Sequence, residues 1–288
     1  KIFSFGLKRI HEDEIGNGID VLQDFVSNRH LPKLKSSFNV GQGIFVLNEM
    51  EKLKVIESNE DQEKIKPYFT TQEIGRYKAV PKNQYWIIYA DKEVRENIKK
   101  YPGIKKHLDN FKPVLSSVFA PYGLHRPREE KFFLDEKILS IRKTRKVAFS
   151  YVHFSSYVSR AFLIIKKIYF KESIKYLLGI LNSMLIQFWL YHRGKKQGDQ
   201  LQIDKEPLCN IPIRQINFDN PKEVEQHDRM VSMVERMLEL HKRDPQTPQE
   251  AERLQREIAA TDAAIDQLVY ELYGLTEEEV GIVEAGSS

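Results

Sequence analysis

Between Val40 and Ile168 the apolar residues come in short runs bounded by Gly, Asn, Pro or Asp, a pattern that predicts strands. Residues 43–47, 53–57 and 84–90 form one set, with Gly41-Gln42-Gly43 as a tight turn ahead of it. Residues 137–142, 147–152 and 160–168 form a second set. Asp91 predicts the N-cap of a helix over 92–101, stopped by Pro102-Gly103. Nearer the start, Gly16-Asn17-Gly18 reads as a turn, followed by a helix over 19–27 and a stop at Leu31-Pro32. The strands do not alternate with helices in βαβ units, so this part of the chain is mixed α/β.

After residue 172 the period lengthens. Ser173 predicts the N-cap of a long core helix, because positions 174, 177, 178, 181, 184, 185, 188 and 189 are apolar at helical spacing. A polar, basic loop over 193–200 follows, and Ile211-Pro212-Ile213 closes the domain. Beyond Pro221, Val224, His227, Val231, Val234, Leu238 and His241 step alternately by three and four, and Ala251, Leu254, Ile258, Thr261, Ile265, Leu268 and Leu272 do the same. Heptad spacing of this kind predicts two helices supercoiled into a hairpin. Gly274 ends the second, and Thr276 with Glu279 forms a capping box for a short third. The hairpin either docks on its own domain or offers a seam to a partner, a second copy included. The expected fold class is α+β: a lead-in segment (1–35), a mixed α/β domain (36–213) and a helical hairpin (214–288).

Composition supports a two-domain chain, since 288 residues at 41% hydrophobic can bury a sizeable core. The longest apolar region, 176–191, is interrupted by Gly179, Asn182, Ser183 and Gln187 and is shorter than the roughly 20 residues a spanning helix needs. The first residues lack the pattern of a secretory leader. A single cysteine, Cys209, allows no intrachain disulfide and fits a cytoplasmic home.

Charge changes the picture more than composition does. The net charge of +4 hides 37 Lys and Arg against 24 Asp and Glu through residue 213, and 8 against 17 after it. From Lys137 to Lys171 there are nine Lys or Arg and no Asp or Glu. A one-sign stretch that also carries Phe149, Tyr151, Phe154, Tyr157, Phe162, Tyr169 and Phe170 suits a polyanion, and nucleic acid first of all. These aromatics read as strand core ahead of base-stacking platforms.

Catalytic patterns are sparse. No histidine pair falls at i, i+4, and no Walker loop or Gly-x-Gly-x-x-Gly follows a strand. Glu129-Glu130-Lys131 and Asp135-Glu136-Lys137 each fit the acid-x-Lys half of a Mg²⁺-dependent nuclease site, with Asp109 as the upstream acid. Such triplets arise readily by chance where 30% of residues are charged. DNA-binding candidates are more specific. Arg126 and Arg128 lie on a loop stiffened by Pro121 and Pro127, from which guanidinium forks reach phosphate or a guanine edge. Arg142, Lys143, Arg145 and Lys146 occupy a strand–turn–strand corner suited to clamping phosphates. Arg193, Lys195 and Lys196 make the loop after the core helix basic, and Gln197, Gln200, His125 and Asn83 are readout candidates.

Residues 43–49, residues 131–140, Leu181-Asn182-Ser183 with Phe188-Trp189, Gly194-Lys195-Lys196, and Leu208-Cys209-Asn210-Ile211-Pro212-Ile213 together resemble the TaqI-like C-terminal specificity domain over roughly residues 35–213. The hairpin resembles the helical spacer of type I specificity subunits. The resemblance implies a target recognition domain of a restriction-modification enzyme, especially type IIG. Such a domain reads a short double-stranded DNA sequence in the major groove for an adenine methyltransferase and endonuclease. It brings no catalysis: the chain has no Asn-Pro-Pro-Tyr/Phe motif and no S-adenosylmethionine loop. S-adenosylmethionine and Mg²⁺ are therefore expected only in associated domains, upstream or on another chain. The alternatives are a free-standing specificity subunit, a Mg²⁺-dependent nuclease and a protein–protein adaptor.

Overall fold

The computed structural model describes residues 6–198 and 200–286. Residues 1–5, read above for a leader, lie outside them, as does the side chain of Gln197. The fold is α+β, organised on two four-stranded sheets. The central sheet runs Phe149–Val152, Lys137–Ile141, Phe162–Ile165, Ile15–Asn17, with every neighbouring pair antiparallel. The second runs Tyr157–Val158, Ile65–Phe69, Tyr85–Ile88, Val46–Leu47, and only its first pair is parallel.

The central sheet is buried on both faces, which explains why its strands read as continuous apolar runs. Side-chain alternation sends Ile138, Phe149, Leu163 and Ile165 into one hydrophobic cluster and Leu139, Val152, Phe162 and Ile164 into another. Each of these side chains is 2% exposed or less, and burial on this scale contributes about 1.5–3 kcal/mol per residue. The first cluster also takes in the helix Ile174–Asn182 and the two hairpin helices, Pro221–Leu240 and Pro248–Tyr273, through Met230, Val234, Met237, Ile265, Leu268 and Val269. The hairpin thus packs its apolar face on the chain's own core, and that core draws on residues from both sides of Ile213.

Three contacts fix this docking. At Gly179 an added Cβ would lie 2.4 Å from Met230 Sδ and 3.0 Å from Val234 Cγ2, so any larger residue requires these side chains to shift for the helices to cross at this distance. Arg76 forks onto Asp262 of the second hairpin helix at 2.8 and 2.6 Å and also donates to the Asn182 carbonyl at 2.8 Å. Asp266 accepts from the Met184 amide at 2.7 Å.

The Leu-Asn-Ser triplet has a defined role. The buried Asn182 amide donates to the Phe149 carbonyl at 2.9 Å and accepts from the Phe149 amide at 3.0 Å, replacing a neighbouring strand. Ser183 then caps a second helix, Met184–Arg193. The long helix expected from Ser173 is therefore two helices bent by 64°. No single helix among the described residues is long and apolar enough to cross a membrane.

Four further expectations are corrected. Residues 19–27 are not helical: Ile19 donates to the Val158 carbonyl and Asp20 pairs with Arg126, so tertiary pairing holds the segment extended. Residues 53–57 do not form a strand, because Asn48 and Glu51 build a capping box that starts the helix Glu49–Val55. Pro102-Gly103 starts a helix, Pro102–Asp109, with proline in its first turn. The basic loop over 193–200 is a β-hairpin, Lys195–Gln197 with Gln200–Gln202, turning through Gly198 at φ +65°. The helical hairpin, the left-handed Gly274 and the Thr276–Glu279 capping box are as expected.

Candidate nucleic-acid interface

The two long central strands deliver basic side chains to one end of the sheet. Ile141 pairs with Phe162, and the Arg142 amide donates to the Ala161 carbonyl at 2.9 Å. Arg142 and Lys143 therefore leave the sheet where Ser159 and Arg160 arrive. A cleft opens there, lined among others by Ile19, Asp24, Tyr68, Arg142, Lys143, Arg160 and Gln202. The lead-in segment passes close beneath: a Cβ on Gly18 would lie 1.9 Å from the Ser159 carbonyl oxygen.

The loop 124–128 joins the same region through the backbone pairing of Asp20 with Arg126. Arg126 is exposed, and Arg128 is half-buried with its Nε lacking a hydrogen-bond partner. Burial, then the nearby charge of Arg126, pushes the Arg128 guanidinium down; Arg142 adds to this and Asp20 opposes it. Arg128 also holds a left-handed backbone at φ +68°, strained for a non-glycine residue. Tyr89 Oη pins that turn by donating to the Arg128 carbonyl at 2.9 Å. The charges of Arg126 and Arg142 thus both bear on Arg128, a repulsion that an anion would relieve.

The basic hairpin completes the wall. Its strand Gln200–Gln202 pairs with Lys143–Thr144, so Lys195, Lys196 and Lys143 sit on one three-stranded sheet. Asp204 organises this side: Arg142 Nη2 lies 2.7 Å from its Oδ1, Lys195 Nζ 3.6 Å from its Oδ2, and Gln202 donates at 3.2 Å. Burial raises the Asp204 carboxyl, but the Arg142 and Gln202 hydrogen bonds outweigh it and hold the group below its ordinary range. Lys196 Nζ lies 3.7 Å over the Tyr191 ring. Arg193 is exposed at the end of its helix, and Arg145 and Lys146 are exposed beyond Thr144.

The structure brings together Arg126, Arg128, Arg142, Lys143 and Lys195, and the sequence reading missed Arg160, Asp20, Asp24 and Tyr68 beside them. Arg160 already stood in the acid-free window, which was the signal available for it. Of the readout candidates, Asn83 turns inward to donate to the Tyr85 carbonyl, His125 keeps Nδ1 buried without a partner, and Gln200 is half-buried. Phe149, Tyr157, Phe162 and Phe170 are core, Tyr151 and Phe154 are half-buried, and Tyr169 is exposed.

The acid-x-Lys residues are engaged elsewhere. Glu129 pairs with Lys131 at 2.6 Å on the surface. Asp109 is held by Lys105, Lys112 and Tyr122, whose hydrogen bonds keep its carboxyl far below the usual range. Lys137 is buried and donates to backbone carbonyls. No group of three or more His, Cys, Asp or Glu among the described residues is placed to hold a metal ion.

The family model of the TaqI-like C-terminal specificity domain matches residues 66–213. Type II methyltransferase M.HincII of Haemophilus influenzae is 27% identical over 170 residues, covering 54% of this chain and 34% of the relative. Type II methyltransferase M.HindII of the same species is also 27% identical over 170 residues, covering 54% of this chain and 33% of the relative. The chain thus spans about a third of the length of these curated relatives. The structure of the type IIL restriction-modification enzyme MmeI in complex with DNA superposes with a TM-score of 0.65 at 12% identity, over 95% of this chain and 35% of that one, a likeness of fold.

Proposed function

The chain belongs to the TaqI-like C-terminal specificity domain family, and on that premise we propose that it reads a short double-stranded DNA sequence for a restriction-modification enzyme. It holds that DNA for an adenine methyltransferase and endonuclease, fused to it or carried on another chain. The observation that carries this reading is the convergence of Arg142, Lys143 and Arg160 on one cleft at the end of the central sheet, with Arg126 and Arg128 nearby on the loop that pairs with Asp20. Lys143, Arg145, Lys146, Arg193, Lys195 and Lys196 grip phosphates, while Arg126, Arg128 and Gln197 approach base edges.

The division of labour follows from energetics. Flipping an adenine out of the duplex costs a few kcal/mol, and a separate module bound to the same site offsets that cost. S-adenosylmethionine and Mg²⁺ belong to the associated catalytic domains, and the outer face of the helical hairpin receives one of these or a second copy. The setting is the cytoplasm, where such DNA is met.

The test is selection of bound duplexes from a random-sequence pool by the full-length protein, followed by sequencing. Enrichment of one short motif is the expected result. Retention without any motif would leave a phosphate-gripping module, and no retention would remove DNA from the account.

A further inference from the structure

One acid, Asp24, lines this otherwise basic cleft, which phosphate binding does not explain. Asp20 is compensated, since Arg160 Nη1 lies 3.5 Å from its Oδ1. Asp24 has no such direct partner: the residue lines the cleft and its Oδ1 is buried without a hydrogen bond. Its backbone carbonyl is already committed to the Ile44 and Val46 amides, so the residue is fixed in place. Ile19 and Tyr68 wall it at 0% and 3% exposure, limiting its access to solvent. Burial pushes the carboxyl up to about 6, with Arg160 opposing and Asp20 reinforcing the shift.

An ionised carboxylate repels phosphate and accepts hydrogen bonds only. In the major groove the base edges that offer a donor are cytosine N4 and adenine N6, while guanine and thymine present acceptors there. Resting on the reading of this cleft as a DNA-recognition site, we propose that Asp24 is a specificity-determining residue whose carboxylate accepts a hydrogen bond from the exocyclic amine of one cytosine or adenine. The arginines around it hold the backbone, and Asp24 rejects bases whose edge at that place carries only acceptors.

The experiment compares full-length wild type, Asp24→Ala and Lys143→Ala in selection from random duplexes. Asp24→Ala is expected to keep the wild-type motif at all positions but one, where discrimination falls roughly tenfold. Lys143→Ala weakens all sequences alike and leaves the motif whole. The base is then probed directly by replacing adenine with purine, or cytosine with 2-pyrimidinone, at the relaxed position. Loss of the amine should weaken wild-type binding about tenfold and leave Asp24→Ala unaffected, because the coupled partner is already gone. Should Asp24→Ala fold poorly, Asp24→Asn substitutes, and its added donor should admit guanine or thymine at that position. An unchanged motif in the Asp24 variants, or equal weakening of wild type and variant by the analogue, overturns the inference while leaving the recognition reading intact. Failure of the wild type to select any motif overturns both.

Discussion

Lys137 lies at the end of the central sheet away from the cleft, wholly buried, where its Nζ donates to the carbonyls of Asp135 and Phe154 at 2.8 and 2.7 Å. Burial, with a smaller push from Lys166, brings its pKa down from 10.5 to about 7. Between those values the unfolded chain binds the proton and the native state does not, so stability rises with pH across the interval and falls as pH drops toward 7. Unfolding in urea at about pH 7 and about pH 9 should show a higher midpoint at the upper pH. Lys137→Met should flatten that rise even while it lowers stability by leaving two carbonyls without donors. An equally steep rise in the variant would place the effect elsewhere. Lys137 also shows what one-dimensional reading can miss: its triplet suggested metal chemistry, yet the ammonium points into the core. The same limit hid Asp24, which lies more than a hundred residues from Arg160 in sequence and meets it only through the pairing of Ile19 with Ser159.

The helical hairpin was legible because its heptads repeat over many turns, and three strands of the central sheet because β-branched and aromatic runs are bounded by breakers; the fourth, Ile15–Asn17, falls where Gly16-Asn17-Gly18 reads as a turn. The segment 19–27 was not, since Ile19, Val21 and Phe25 fit a strand as well as a helix over so few residues, and long-range pairing decided between them. In 53–57 an N-cap outside the segment decided the outcome. Gly179 is where local sequence meets packing. A bulky side chain there must displace Met230 and Val234, so Gly179→Leu should cost about 1–3 kcal/mol or more. It should also release the hairpin before the rest unfolds. Limited proteolysis would show this as early cleavage within the linker at Arg243 to Thr247. Cleavage no faster than in wild type would mean that the Arg76–Asp262 fork, the Asp266–Met184 hydrogen bond and the remaining apolar contacts hold the hairpin without the Gly179 crossing.

Across the whole molecule, the basic 1–213 and acidic 214–288 divide the labour: one part is drawn to a polyanion and the other repels it. Binding should therefore weaken steeply with salt, by a slope of about −0.9 per phosphate neutralised, or near −5 for roughly six. Replacing both Lys143 and Lys146 by alanine should make that slope shallower by about 1.8, measured by titrating the selected duplex over a range of salt. An unchanged slope would take these two lysines off the backbone. The direction in which the cleft is attached has a mechanical consequence. A duplex pulling on Arg142 and Arg160 loads strands Lys137–Ile141 and Phe162–Ile165 along their length from the same end, so the ladders to Phe149–Val152 and Ile15–Asn17 on either side share the force in shear instead of parting one bond at a time. Such a mount is stiff. Any curvature the complex demands must then be supplied by the duplex, and the flexibility of base steps that no side chain touches becomes part of what is selected.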